Sequence, residues 1–79
     1  MAKLIPLKAA CDKAGYGKSK TYSDIGEGTF PEPVKRGRSS RWVEHEIDVV
    51  IKARIAGKTD DEIRVLVAKL HNERMGEAS

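Results

Sequence analysis

The 79-residue sequence has few of the residues that stabilise small proteins through covalent bonds or metal ions. It contains one cysteine, Cys11, so no disulfide can form within the chain. With only His45 and His71 beside that cysteine, a Cys/His zinc site cannot reach four ligands. We therefore expect a small apolar core, with no metal and no cofactor.

Long apolar segments are also missing from the sequence. No run approaches the ~20 apolar residues that cross a bilayer, and the apolar stretch before Lys8 is too short for a secretory signal. We therefore expect a cytoplasmic protein without a membrane partner. A domain of this size rarely forms a deep catalytic cleft, so we expect no enzymatic activity.

Positive charge is concentrated in the first half of the chain. Residues 1–41 hold nine basic and four acidic residues, whereas residues 42–79 hold six basic and eight acidic ones. Residues 35–41 contain four cations and no acid. Such a cluster attracts a polyanion such as DNA, although an isolated basic run is more often a solvated loop.

The spacing of apolar residues predicts four helices. Gly15 ends the first, Gly26 and Gly28 end the second, and Gly57 ends the third. On the second helix, over residues 18–25, only Tyr22 and Ile25 are expected to face the core. A capping box, Thr59 with Glu62, predicts the start of the last helix. The other apolar stripes are Leu7, Ala10, Cys11 and Ala14; Val43, Ile47, Val50, Ile51 and Ile55; and Ile63, Leu66, Val67 and Leu70.

Between the second and third helices, two prolines exclude helix and residues 34–36 and 39–42 predict a short hairpin. Val34 and Trp42 are expected to anchor it. The predicted fold is mainly α with a small β-hairpin: a winged helix-turn-helix with a two-stranded wing and two C-terminal helices. We expect one domain over residues 1–75 and a frayed tail over residues 76–79.

Several residues at characteristic spacings point to a known family. They are Gly15, Ser19, Tyr22, Gly28, Phe30-Pro31, Pro33-Val34-Lys35, Arg41-Trp42 and Glu46-Ile47-Asp48. With them, the segment from Leu7 to Ile51 resembles the AlpA-type phage and prophage regulators, winged-helix proteins related to excisionases and to the DNA-binding domain of MerR-type regulators. Gly17 stands where the family often has a capping serine, and Thr21 stands at a usually aliphatic position.

The resemblance implies sequence-specific binding to double-stranded DNA, in the bacterial nucleoid, to regulate transcription of a phage or mobile-element gene. Some relatives are instead excisionase-like recombination directionality factors that bend attachment-site DNA, and this alternative stays open. A third alternative is a protein-interaction adaptor that uses the basic hairpin against an acidic partner. We expect a homodimer or cooperative assembly on DNA, through the last two helices and Val49 and Val65. Integrase and RNA polymerase are further candidate partners.

The candidate DNA-contacting residues lie on the second helix, for the major groove, and on the wing, for phosphates or the minor groove. Asp24 is expected to point away or to pair with a lysine. Arg41 could instead brace the hairpin, and the ring of Tyr22 could pack inward while its hydroxyl meets a phosphate. The full set is Lys18, Ser19, Lys20, Thr21, Tyr22, Ser23, Lys35, Arg36, Arg38, Ser39, Ser40 and Arg41.

The remaining chemistry-bearing residues have structural interpretations. Cys11, Phe30 and Trp42 are expected in the core, and His45 and His71 on the surface. The acidic residues near the starts of the last two helices are expected to serve as caps and as partners of the helix dipole. These are Glu44, Glu46, Asp48, Asp60, Asp61 and Glu62.

Overall fold

The computed structural model describes residues 3–37 and 39–78, with their side chains except those of Arg36 and residues 75–78. Within these ranges the chain forms four helices and three short strands. None of the described helices is both long and apolar enough to cross a bilayer. In chain order the elements are β1 (Leu4–Ile5), α1 (Leu7–Ala14), α2 (Lys18–Glu27), β2 (Val34–Arg36), β3 (Ser39–Val43), α3 (Glu44–Ile55) and α4 (Asp60–Ala78).

Glycines in the left-handed conformation end the first two helices. At the end of α1, Gly15 has a φ of 72°, and the following amide of Tyr16 donates to the carbonyl of Cys11 at 3.1 Å. Gly28 ends α2 with a φ of 81°. A residue with a Cβ rarely adopts this conformation, so these glycines fix the two ends. Gly26 lies inside α2, which is two residues longer than expected.

The three strands form one antiparallel arrangement in the order β1-β3-β2. The predicted hairpin is confirmed, with Val34 opposite Arg41. Strand β1 was not predicted from the sequence, because two residues are too few to show an alternating pattern. It pairs Ile5 with Trp42, and the amide of Glu44 donates to the carbonyl of Lys3 at 2.8 Å.

Trp42 lies at the centre of the first core cluster and is fully buried, as expected. Its indole N–H donates to the carbonyl of Pro31 at 3.0 Å, which satisfies the one polar group of the side chain. The ring therefore ties the base of the hairpin to the segment after α2. The buried members of this cluster are Ile5, Ala10, Phe30, Trp42 and Ile47.

A second cluster joins α3 to α4 through Val50, Ile63, Val67 and Leu70. The predicted apolar stripe of α4 is therefore confirmed. That of α3 is wrong at its end, because Ile55 is 82% exposed. It lies on the last turn of α3, beyond the contact between the two helices.

The predicted capping box at the start of α4 is also confirmed. The Thr59 amide donates to Glu62 Oε1 at 3.0 Å, and the Glu62 amide donates to Thr59 Oγ1 at 3.2 Å. The bond from the Thr59 amide lowers the pKa of Glu62 below its ordinary value. The tail that we expect to fray is helical as far as Ala78, and Ser79 lies outside the described residues.

A buried ion pair joins α3 to the far end of α4. Glu46, expected as a dipole partner at the start of α3, is only 4% exposed, and its carboxylate accepts both Nε and a terminal nitrogen of Arg74. Arg74 also donates to the carbonyl of Glu32 at 2.7 Å. His71, half-buried rather than on the surface as expected, accepts the Glu32 amide at 3.1 Å. Arg74 and His71 thus hold the segment before the hairpin against α4.

Two other acidic residues of α3 bind a lysine of α1. Lys13 Nζ lies 2.9 Å from Asp48 and 3.7 Å from Glu44. The hydrogen bond that Lys13 donates to Asp48 is the main cause of the raised pKa of Lys13. These carboxylates therefore contribute to packing between helices as well as to the helix dipole. The whole arrangement confirms a mainly helical winged helix-turn-helix with a small sheet.

Replacing Arg74 with Met is expected to lower the free energy of unfolding by about 3 kcal/mol, because the Glu46 carboxylate would stay buried without its partner. Adding Glu46→Leu is expected to recover most of that loss, since a buried ion pair exchanges well for apolar side chains. Urea unfolding followed by circular dichroism measures both changes. A single variant as stable as the parent chain would show that this pair does not hold α4.

Candidate DNA-binding surface

The outward face of α2 consists of small polar side chains. At 100° per residue, the core side of α2 is centred on Thr21 and Asp24, which are buried. Ser19 and Ser23 lie on the opposite side and are exposed. Lys18 is also exposed, at the edge of this face. A face of this kind leaves room for a flat or grooved partner to approach the helix closely.

Thr21 does not belong to this surface, which corrects our expectation that it contacts DNA. Its side chain is 0% exposed, and its hydroxyl donates to the carbonyl of Gly17 at 3.0 Å. The Cys11 sulfur lies 3.3 Å from the hydroxyl oxygen of Thr21. Because the single hydroxyl proton is directed to Gly17, the buried thiol of Cys11 is the donor in that second contact.

Lys20 lies on α2 but is committed to a partner within the protein. Its ammonium group lies 2.8 Å from Oδ1 of Asp24, which is 1% exposed, and 5.4 Å from the ring centre of Tyr16. The hydrogen bond to Asp24 raises the pKa of Lys20. The expected pairing of Asp24 is therefore confirmed. The charge of Lys20 is largely balanced, whereas Lys18 has no acidic partner within the described ranges.

Tyr22 is more accessible than the sequence suggested. The sequence predicts that Tyr22 and Ile25 both face the core. Tyr22 is 46% exposed, so its ring does not pack into the core. Ile25 does pack, half-buried, against the first core cluster. The inward positions are instead filled by two polar residues, Thr21 and Asp24, which a search for apolar spacing cannot detect.

Gly26, which the sequence predicts as a helix end, is an exposed residue within α2. It lies within α2, and a Cβ built on it meets no heavy atom within 4 Å. By helical spacing it lies beside Ser19 and Ser23. A glycine inside a helix costs about 1 kcal/mol relative to alanine. No described residue lies close enough to Gly26 to require a glycine there, so the position is a candidate for close contact with a partner.

The hairpin presents basic residues on both of its faces. Because paired residues of adjacent strands share a face, Arg41 lies with Val34, and Lys35 lies with Ser40. Lys35, Ser39 and Arg41 are exposed, whereas Ser40 is half-buried. Arg38 lies outside the described residues, as does the side chain of Arg36.

Comparison with known proteins identifies the family. The sequence model of the family described as prophage CP4-57 regulatory protein (AlpA) matches residues 3–55, two thirds of the chain. The chain belongs to the AlpA family. Searches of curated proteins and of solved structures gave no match.

Membership of the AlpA family confirms the resemblance noted in the sequence and the winged helix-turn-helix interpretation. It makes the chain a prophage regulatory protein of a family for which DNA binding is implied. The matched residues 3–55 include α1, α2, the hairpin and α3, but not α4. The candidate surface therefore lies entirely within the matched part of the chain. Thr21 stands where AlpA-type proteins usually have an aliphatic residue, and its burial fits that position.

Lys20→Ala is expected to destabilise the protein, because it leaves a buried carboxylate without its partner. The second oxygen of Asp24 has no hydrogen-bond partner among the described residues, so the lysine is its main compensation. Lys18→Ala, on the same helix, is the matched control and should leave the free energy of unfolding unchanged. Adding Asp24→Asn to Lys20→Ala should restore part of the loss. Urea denaturation compares these variants, and equal losses for the two lysines would contradict the assignment.

Proposed function

We propose that this protein binds double-stranded DNA sequence-specifically and regulates transcription of a phage or mobile-element gene. In this proposal α2 enters the major groove, and the hairpin contacts phosphates or the minor groove. The observation that carries it is the outward face of α2, where Ser19, Ser23 and Gly26 form a surface of small side chains. Lys18 lies beside it and has no acidic partner among the described residues. The regulatory role follows the family description.

The chemistry of the α2 face suits the edges of base pairs. Serine hydroxyls both donate and accept, so Ser19 and Ser23 can bond to several bases. Lys18 can donate to guanine or to a phosphate oxygen. The phenol of exposed Tyr22 suits a phosphate at the edge of the groove. Lys20 serves mainly to hold Asp24 and adds a weaker contact.

The hairpin supplies the charge that α2 lacks. Lys35 and Arg41 are exposed, and neither has an acidic partner among the described residues. The sequence adds Arg36 and Arg38 to the same segment. Contacts of this kind strengthen binding to any sequence and fix the register of the protein on the duplex. Base preference is then assigned to α2, with Ser39 and Ser40 adding phosphate contacts.

A second copy is needed for tight binding. A single module of this size contacts DNA through ~600–1,000 Å² of its surface, which is small for a specific complex. We therefore propose a homodimer or cooperative assembly on repeated sites in the nucleoid. Integrase or RNA polymerase would meet the protein there, depending on which gene it controls.

Selection from random duplex DNA should enrich a defined sequence, and three variants then separate the two contact regions. Ser23→Ala should relax preference at one or two positions, because it removes a base contact. Arg41→Ala should weaken all sites by a similar factor, about three- to tenfold, and reduce the salt slope by about one. Lys52→Ala, an exposed lysine on α3, is the control and should bind like the parent chain.

No enrichment in that selection would end the proposal of sequence-specific binding. Enrichment with unchanged binding by Ser23→Ala and Arg41→Ala would move the contact surface to another part of the molecule. A chain that binds every duplex equally and weakly would favour an adaptor that uses its basic hairpin against an acidic protein.

Gly26→Ala separates stability from binding. Alanine should stabilise α2 by about 0.5–1 kcal/mol, because it reduces the conformational freedom of the unfolded chain. It should also weaken DNA binding several-fold, because a methyl group then stands where the duplex approaches the helix. Thermal unfolding and fluorescence anisotropy measure the two effects. A variant that is more stable and binds equally well would remove Gly26 from the contact surface.

A further inference from the structure

The outer face of α4 forms a groove with the end of α3. The groove has a volume of about 380 Å³ and lies on the flank of α4, roughly 100° around the helix from its buried stripe. Half-buried Leu66 forms part of its floor and packs against the second core cluster. Six residues line it, namely Ala53, Lys58, Glu62, Val65, Leu66 and Lys69.

Val65 gives this groove an apolar side chain that the chain itself does not cover. It is 71% exposed, although a β-branched residue on the surface of a helix contributes neither solubility nor helix propensity. It stands between two charged residues of the same face, Glu62 and Lys69. An apolar centre with charges at its ends is the usual layout of a small protein interface.

The charges along this face alternate in a way that fits a second copy of the same chain. Lys58 and Glu62 precede Val65, while Lys69 and Glu73 follow it. If two α4 helices run antiparallel about an axis between residues 65 and 66, Glu62 meets Lys69 of the second copy. By the same symmetry Glu73 of the second copy lies beside the start of α4, within reach of Lys58, which precedes the helix by two residues. A parallel pair would instead place each charge beside its own kind, which is unfavourable.

We propose that this groove is the interface with a second copy of this chain, formed by antiparallel pairing of α4 about a two-fold axis between Val65 and Leu66. Each Val65 packs against Leu66 of the other copy, and the two ion pairs repeat on both sides of the axis. The inference takes from the proposed function only the expectation of a dimer. Its test uses no DNA, so that its failure leaves the DNA contacts untouched.

The predicted dimer is weak in the absence of DNA. The paired part of α4, residues 60–73, spans roughly 21 Å of helix, and Lys58 adds one contact from just before it. Two helix faces of this length bury an area at the small end of the range for protein interfaces, so we expect a Kd on the order of 10 μM. Two adjacent DNA sites would raise the effective concentration and favour the paired form.

Sedimentation equilibrium of the full chain, from roughly tenfold below to tenfold above that Kd, tests the pairing. The parent chain should pass from monomer to dimer. Val65→Asp should raise the Kd at least tenfold, because it places a charge at the apolar centre. Ile55→Asp is the matched control, because Ile55 is also highly exposed but does not line the groove. The Ile55→Asp variant should dimerise like the parent chain. Circular dichroism checks that both variants fold.

A charge exchange tests the antiparallel register. Lys58→Glu and Glu73→Lys should each weaken the dimer severalfold, and the double variant should restore it, because the ion pair is then re-formed with its charges exchanged. Neither residue makes a hydrogen bond of the capping box, but Lys58 Nζ lies 3.8 Å from Glu62 Oε2 of the same chain, so circular dichroism also checks that Lys58→Glu leaves α4 folded. A chain that stays monomeric throughout overturns the proposal, and so does a dimer that tolerates Val65→Asp. Failure of the double variant to recover overturns the antiparallel register.

Discussion

Burial of Trp42 is the constraint on which the remaining structure depends. The indole ring is fully buried and donates its N–H to the carbonyl of Pro31, while the backbone of Trp42 pairs with that of Ile5. One residue therefore joins the N-terminal strand, the segment after α2 and the base of the hairpin. Between Val34 and Arg41, none of the described side chains of the hairpin is fully buried. Its direction relative to the helices is thus set by how Trp42 sits in the core.

The most buried positions of α2 are occupied by polar side chains. Its two buried residues, Thr21 and Asp24, are both polar, and each is paired through a hydrogen bond or an ion pair. Buried polar groups cost several kcal/mol when left unpaired. The Thr21–Gly17 and Lys20–Asp24 contacts lie within α2 and its N-cap, whereas the contact between Cys11 Sγ and Thr21 Oγ1 joins α2 to α1. A rotation of α2 would break the Cys11 contact and move the two polar side chains out of their buried positions. A helix held in this way presents a defined set of side chains outward.

The same chemistry explains which features could be predicted from the sequence. Apolar spacing and capping residues located α1, the hairpin and the buried stripe of α4, since each of these has a strong local pattern. Strand β1 is too short to show one. The pairing of Glu46 with Arg74 joins residues 28 positions apart, and it depends on how the helices pack. The exposure of Ile55 likewise follows from where the contact between α3 and α4 ends. On α2, Thr21 stands where the family usually has an aliphatic residue, and this could have indicated that Thr21 is buried.

The last helix connects the two proposed surfaces. Next to Val65, Arg64 Nε donates to the carbonyl of Glu27, the last residue of α2, at 2.8 Å. A cation at this end also interacts favourably with the helix dipole. Pairing of α4 with a second copy fixes this helix, and through Arg64 it restrains the end of α2. By thermodynamic linkage the effect is reciprocal: if pairing favours the orientation of α2 that binds DNA, DNA must favour pairing by the same free energy. Cooperative binding then requires no contact beyond the two surfaces and the helix that joins them.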